Sequence, residues 1–321
     1  MVEMDRSAMS IAVLAGGRSS EREISLASGE NVVRALLEAG FGSAALLDTA
    51  SDTFVSDITS GSFDAAFPAL HGAGGEDGVT QGFLEFIGLP YVGSGVTASA
   101  VAADKELSKL LYARSGIPTA PGVALERDDD IDLETILAVV GPQSFVKPAV
   151  NGSSYGISFV HEPSELAAAI DLAFKYGDKV LVERRVVGTE VSVGVFGAGE
   201  SLRALPVVEV CVANEGAEFY DLRVKYIDPT KVHVVPARLP QAAYAEVQRL
   251  ACAAHEALGC LGFSRSDFIV GEDGPVILET NTIPGMTDTS LYPDEVRHTD
   301  DLTFPEVCAE LVRLGLERAE Q

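Results

Sequence analysis

Two short stretches in the last quarter of the chain concentrate side chains able to do chemistry. In Arg265-Ser-Asp267 and Leu278-Glu-Thr-Asn281, strand alternation puts Arg265 and Asp267 on one face of their strand and Glu279 and Asn281 on one face of theirs. Two such strands side by side would present Asp267, Glu279 and Asn281 as an oxygen cluster, and hard oxygen donors of this kind suit magnesium together with phosphate. The alternative is a hairpin whose polar face merely meets solvent. Arg265 weighs against it, because a cation beside magnesium ligands offsets charge on a transferred phosphoryl group or an adjacent oxyanion. Lys147 ends an apolar stretch and precedes Asn151-Gly-Ser-Ser-Tyr-Gly156, where small residues leave backbone N–H groups free to wrap phosphate oxygens. Lys105 could supply a second ammonium, and Lys225 and Arg265 further positive charge. Taken singly, each of these could be an ordinary surface cation. Glu183 to Glu190 and His71 to Gly78 also set polar groups among apolar residues, and uncompensated buried charge is costly enough that such groups converge on a ligand or on each other. The loop His71-Gly-Ala-Gly-Gly-Glu-Asp-Gly78 has no evident packing role, which favours ligand contact for His71 over a satisfied loop histidine.

Rival motifs fare worse. Gly152-Ser-Ser154-Tyr-Gly156 has the G-x-S-x-G form of a serine-hydrolase elbow, but the elbow needs a helix after the serine and here a strand is expected. Gly93-Ser-Gly95-Val-Thr-Ala98 fits a dinucleotide fingerprint, yet no acid lies between Glu106 and Glu126 to take the ribose hydroxyls. The chain has no Gly-Lys pair and so no Walker A loop. A nucleotide would need another grip. His161, His233, His255 and His298 have no motif around them and are assigned no role.

The elements that must carry these residues follow from periodicity. Ile11-Ala-Val-Leu-Ala15 reads as a buried strand, Gly16-Gly17 as a turn, and Ser20-x-x-Glu23 as a capping box for a helix running to about Ala39 and stopped by Gly40. Strands are expected at residues 44–47 and 63–70, then helices at 79–87 and 97–115, the second ending before Gly116-Ile-Pro118. Residues 144–148 and 157–160 suggest a hairpin around the small-residue loop. Further strands are expected at 179–187, 190–196 and 203–212, and a helix at 241–258 with Gly259 as its cap. Strands at 268–270 and 276–278 flank the turn Gly271-Glu-Asp-Gly274, and Thr303-x-x-Glu306 is a capping box for a last helix. Asp128 to Asp130 read as a solvated loop. The pattern is α/β with parallel pairing in the first part and α+β afterwards.

Composition sets the outer limits. The 321 residues include 23 basic and 48 acidic side chains, a formal charge of −25, which argues against nucleic acid and anionic membrane surfaces as partners. With 47% hydrophobic and 22% charged residues, the chain has core enough for two or three domains. No apolar run approaches the ~18 residues that span a bilayer, and no signal peptide is expected. Cys211, Cys252, Cys260 and Cys308 lack paired spacing and read as reduced thiols of a cytoplasmic protein.

Several segments in order resemble the D-alanine:D-alanine ligases of the ATP-grasp superfamily, and the resemblance covers nearly the whole chain. They are Leu14-Ala-Gly-Gly-Arg-Ser-Ser-Glu-Arg-Glu-Ile-Ser25, Leu70 to Gly78, Gly93-Ser-Gly95, Lys147-Pro-x-x-x-Gly-Ser-Ser-x-Gly156, Phe219-Tyr-Asp-x-x-x-Lys-Tyr226 and Glu279-x-Asn-Thr-x-Pro-Gly-Met-Thr287. The resemblance implies an N-terminal α/β substrate domain over residues 1–95, a central ATP-grasp domain over 96–190 and a C-terminal catalytic domain over 191–321, the last two clamping ATP. It implies that Lys105, Lys147, Ser154, Glu183, Val186, Glu190 and Lys225 bind ATP, with Phe219 and Ile269 against the adenine. Asp267, Glu279 and Asn281 would hold two magnesium ions, or manganese in their place. Glu21 would take the first D-alanine's ammonium and connect to Ser153 and Tyr226, His71 would lie near that substrate's carboxylate, Arg265 and the Gly285 N–H would stabilise the oxyanion, and Ser290 with Leu291 would take the second D-alanine's carboxylate. The family more often has an aromatic and an acid where this chain has Leu222 and Arg223, so contacts of the lid expected at about residues 214–232 would differ. Tyr226 favours an amine acceptor, D-serine included. The implied activity is ATP-dependent synthesis of D-alanyl-D-alanine for peptidoglycan by a cytoplasmic homodimer. Two rivals remain, a ligase for another acceptor and a nucleotide binder without turnover.

Overall fold

The structure is a computed structural model and describes residues 5–150, 156–211 and 233–320. The first unit is a parallel three-stranded sheet in which β1 (Ser10–Ala15) lies between β2 (Ser43–Asp48) and β3 (Ala65–Pro68), with α1 (Arg22–Glu38) and α2 (Phe54–Ser60) as the connections. β1 is buried from Ile11 to its end, as an inner parallel strand covered on both faces must be. Gly29 lets α1 lie close on this sheet: a Cβ there would come within 2.6 Å of the Ala15 Cβ and 2.5 Å of Leu46. The expected Ser20–Glu23 capping box does not form. Glu21 is the residue before the helix, with no side-chain capping bond.

α3 (Val79–Ile87) follows, then α4 (Val96–Ala103) and α5 (Lys105–Arg114). The single helix expected over 97–115 is thus two. Asp104 has an extended backbone, and its carboxylate accepts from the N–H groups of Glu106 and Leu107 at 3.0 and 3.2 Å, so an N-cap interrupts what the apolar periodicity alone would continue. The break starts α5 at Lys105, whose N–H donates to the Ala149 carbonyl at 2.9 Å.

A four-stranded antiparallel sheet comes next, built from β4 (Gly122–Glu126), β5 (Ser144–Pro148), β6 (Ser158–Val160) and β7 (Lys179–Arg184) in the order β4-β7-β5-β6, with α6 (Leu133–Val140) and α7 (Leu166–Ala173) packed on it. β5 and β6 pair as the expected hairpin. The strand foreseen over 179–187 stops at Arg184. Asp128, Asp129 and Asp130 are exposed.

The third sheet contains β8 (Thr189–Gly197), β9 (Arg203–Ala204), β10 (Val208–Val210), β11 (His233–Val234), β12 (Gly262–Gly271) and β13 (Gly274–Asn281), with α8 (Gln241–Leu258) against it. The strand expected over 203–212 is two short pieces up to residue 210, separated at Pro206, which has no N–H for a ladder. α9 (Leu291–Arg297) and α10 (Phe304–Ala319) close the chain, and the Thr303–Glu306 capping box forms as read. α10 returns to the first unit, where Val307, Leu311 and Val312 share a core with Val32, Leu36 and Phe67.

Candidate active site

A cavity of about 870 Å³ lies where the three sheets approach one another, and every described residue singled out above as a site residue lines it. Ser153, Ser154, Phe219, Lys225 and Tyr226, with Leu222 and Arg223, lie outside the described residues.

One wall is the β12–β13 hairpin. Arg265 pairs with Asn281 and Asp267 with Glu279, so the side chains foreseen on one face do share it, and a register shift follows Asp267. The Asp267 carboxylate accepts from Arg265 Nε and Nη2 at 3.1 and 2.9 Å and from Ser192 Oγ at 2.5 Å, and Asn281 Nδ2 lies 3.5 Å from it. Arg265 Nη1 has no partner among the described residues. Asp267 holds the Arg265 pKa above the ordinary arginine value although burial works against the charge. Glu279 pairs with Lys105 Nζ at 2.8 Å. Burial opposes the Lys105 ammonium, but Glu279, with Glu183 and Glu76, keeps its pKa above the usual lysine value. Among the described residues no group of three or more His, Cys, Asp or Glu side chains is arranged to hold a metal alone. Two carboxylates and one amide oxygen are nevertheless the hard donors magnesium takes when substrate phosphates and water complete its shell. The donor set fits.

The opposite wall is β5, β7 and the start of β8. Glu183 is buried between Lys147 Nζ at 2.5 Å and Lys109 Nζ at 2.6 Å. Burial would raise this carboxyl, but the two lysines hold it below its ordinary value. Lys109 was not foreseen, although it lies four residues after Lys105 on α5 and so on the same helix face. Val186, Glu190 and Ile269 line this end, together with Phe145 and Ile157, which give it an apolar flank. Phe145 stacks on Phe159 at 5.0 Å.

The third side comes from the first unit and from the loop after β13. The Glu21 carboxylate lies against Gly72, where a Cβ would meet its Oε2 at 2.9 Å. Gly72 has a φ of +75°, so a side chain is excluded there by conformation as well as by space. The buried His71 imidazole has Nε2 3.0 Å from Ser28 Oγ and Nδ1 3.8 Å from Glu76. The Met286 N–H donates to Ser28 Oγ at 3.2 Å, and Asn31 Nδ2 donates to the Met286 carbonyl at 2.7 Å. Two α1 side chains, missed by motif reading, thereby fasten the loop that holds Gly285 beside the cavity. Ser290 Oγ accepts from the Thr287 N–H at 3.1 Å, and Leu291 starts α9. His233, given no role above, also lines the cavity, its Nδ1 3.3 Å from Asp294.

Two antiparallel sheets that face each other across lysines on one side and a carboxylate–amide cluster on the other, with a parallel α/β unit closing the third side, define an ATP-grasp ligase. The models of D-ala D-ala ligase C-terminus and D-ala D-ala ligase N-terminus match residues 111–313 and 47–94. The D-alanine–D-alanine ligase of Desulforamulus reducens is 41% identical over 97% of this chain and 100% of its own length, and that of Citrifermentans bemidjiense 45% identical over 88% and 89%. A crystal structure of the Bacillus anthracis enzyme superposes with a TM-score of 0.84 at 28% identity, covering 98% of this chain and 99% of that one, and a second, complexed with ATP, with a TM-score of 0.81 at 25% identity and the same coverage. The chain belongs to the D-alanine–D-alanine ligase family.

Proposed function

We propose that the cavity joins two D-alanine molecules at the expense of ATP, by way of D-alanyl phosphate, and so supplies D-alanyl-D-alanine to peptidoglycan synthesis. The observation that carries this reading is the convergence on one cavity of Glu21 and His71 from the first unit, Lys147 from the second sheet, and Arg265, Asp267, Glu279 and Gly285 from the third sheet and the loop after it.

A carboxylate is a poor acylating agent, so its oxygen is first phosphorylated by the γ-phosphoryl group of ATP, with ADP as the other product. Lys105 and Lys147 receive the phosphates, and Val186, Glu190 and Ile269 hold the nucleoside; Ser154, Phe219 and Lys225 join them from outside the described residues. Asp267, Glu279 and Asn281 would hold two magnesium ions, or manganese, and the metal supplies charge neutralisation of the phosphates. Glu21 takes the first D-alanine's ammonium, His71 borders its carboxylate, and Ser153 and Tyr226, which lie outside the described residues, are assigned to the same end by the family resemblance. Ser290 and Leu291 orient the second D-alanine. Its neutral amine then attacks the acyl carbonyl, the C–N bond forms, the carbonyl C–O bond breaks with its electron pair leaving on phosphate, and the nitrogen gives up one proton, which the departing phosphate can take. The developing oxyanion is met by Arg265 and by the Gly285 N–H, and loss of one such donor lowers the rate by ~10²-fold or more. Exclusion of water protects the acyl phosphate.

The three sheets support a division into residues 1–95, 96–190 and 191–321, with the first holding D-alanine and the other two clamping ATP. A cytoplasmic homodimer is the assembly we assign. Among the described residues no helix is long and apolar enough to cross a membrane. Substituting Arg265→Ala tests the oxyanion role: dipeptide formation should fall by ~10²-fold with ATP affinity preserved, whereas turnover near that of the unmodified protein rejects the assignment.

A further inference from the structure

The ladder along β8 has a gap on its outer side. β9 covers Val195 and Phe196, β10 covers Val191 and Ser192, and Leu205 between them donates its N–H to the Gly194 carbonyl at 2.8 Å. The Gly194 N–H is met by no strand. It donates instead to Glu295 Oε2, reaching in from α9, at 2.6 Å. Glu295 is fully buried, and its Oε1 has no hydrogen-bond partner among the described residues. A serine or asparagine would satisfy the amide without burying an acid, so the carboxyl asks for an explanation.

Register supplies one. Gly194 pairs with Arg265 across β8 and β12, so a Cβ at 194 would point to the same face as the Arg265 and Asp267 side chains, roughly 5 Å from the Arg265 Cβ. A Cβ built there meets Glu295 Oε2 at 2.1 Å, with Leu205 and Tyr292 at 2.8 and 2.9 Å. The Glu295 carboxyl therefore fills the place of the side chain that Gly194 lacks, beside Arg265 on the cavity face of the sheet.

We propose that Glu295 is a positioning residue for Arg265: it fixes the β8 backbone at Gly194 and, from the space beside the arginine, keeps the guanidinium on Asp267 with Nη1 left for the reacting carbonyl. Burial raises the carboxyl well above its ordinary pKa, although Arg265 and the Gly194 N–H pull it down. The carboxyl is taken by the Gly194 N–H and not by the guanidinium, whose two bonds to Asp267 are intact. The inference rests on the oxyanion role given to Arg265 above.

The test is a cycle of Glu295→Leu, Glu295→Gln and Arg265→Ala in the full chain, with kcat and the KM for ATP measured from ADP release with D-alanine. Glu295→Leu should lower kcat by about tenfold or more and leave the KM for ATP within about twofold. Glu295→Gln, which keeps the shape and an acceptor for Gly194, should recover most of the loss. Leucine combined with Arg265→Ala should lower kcat no further than Arg265→Ala alone. Multiplicative losses in the double variant, or glutamine no better than leucine, overturn the proposal. Unmodified turnover in Arg265→Ala alone is a different result and sinks the oxyanion role itself. If Glu295→Leu does not fold, Glu295→Asp, which draws the carboxyl back from Gly194, goes through the same cycle with the same criteria.

Discussion

The sharpest quantitative prediction concerns Glu183. Its side chain is 5% exposed and lies between two ammonium groups, each on a side chain 11% exposed. Replacing it with leucine keeps the volume but leaves Lys109 and Lys147 facing the same buried point without a counter-charge, and removal of one partner of a buried pair typically costs about 3–5 kcal/mol. Lys109 can relieve part of this by shedding its proton, since burial already lowers its pKa, so the lower half of that range is expected. Lys109→Met leaves the Lys147 bond to Glu183 at 2.5 Å intact and should cost about 1.5 kcal/mol, the low end for one lost contact to a charged group. Urea unfolding of the two variants, followed by far-UV circular dichroism, gives both values on one scale. A Lys109→Met loss equal to that of Glu183→Leu, or a Glu183→Leu loss under about 1 kcal/mol, would refute the view that the carboxylate neutralises both lysines.

Two further outcomes follow from groups outside the chemistry. His255 is buried on α8 with Nδ1 2.8 Å from Ser264 Oγ, and burial lowers its pKa from 6.5 to about 4. The unfolded chain takes up this proton first as pH falls, so the stability contributed by the neutral ring is complete above about pH 6.5, declines below it and is gone near pH 4, a change of about 3 kcal/mol. The melting temperature of His255→Gln should fall less between pH 7 and pH 5 than that of the unmodified protein, and equal slopes would contradict the argument. Asp104→Ala removes the cap of α5 and the pair with Lys179 at 3.0 Å, and should destabilise by about 1–2 kcal/mol. Asp104→Asn keeps the cap and should lose less than half of that, which thermal unfolding of the pair resolves.

Most of the cavity was legible from residue types because strand alternation and glycine loops are local. Arg265, Asp267, Glu279 and Asn281 share a face for the reason their spacing gave, and the antiparallel register only had to bring Asp267 opposite Glu279. The capping box at Thr303 and the stop at Gly259 were readable for the same reason. What escaped depends on distant partners. Ser28 and Asn31 look like ordinary helix residues until Met286, more than 250 positions later, meets them. Glu295 looks like a solvated acid in a charged helix, and only the gap in β8 at Gly194 shows why it is buried. The break at Asp104 was hidden because a good N-cap residue inside an apolar-periodic run reads as helix when the run continues on both sides.

The measurement that tests the central claim most directly is magnesium-dependent phosphate release from ATP with D-alanine, L-alanine, D-serine and D-lactate offered singly and each paired with D-alanine, followed by mass analysis of the products. The account predicts release with D-alanine alone and D-alanyl-D-alanine as the product. Release only when a second, different acceptor is present would reassign the acceptor end at Ser290 and Leu291, and ATP binding with no release under any condition would contradict the ligase reading of the cavity.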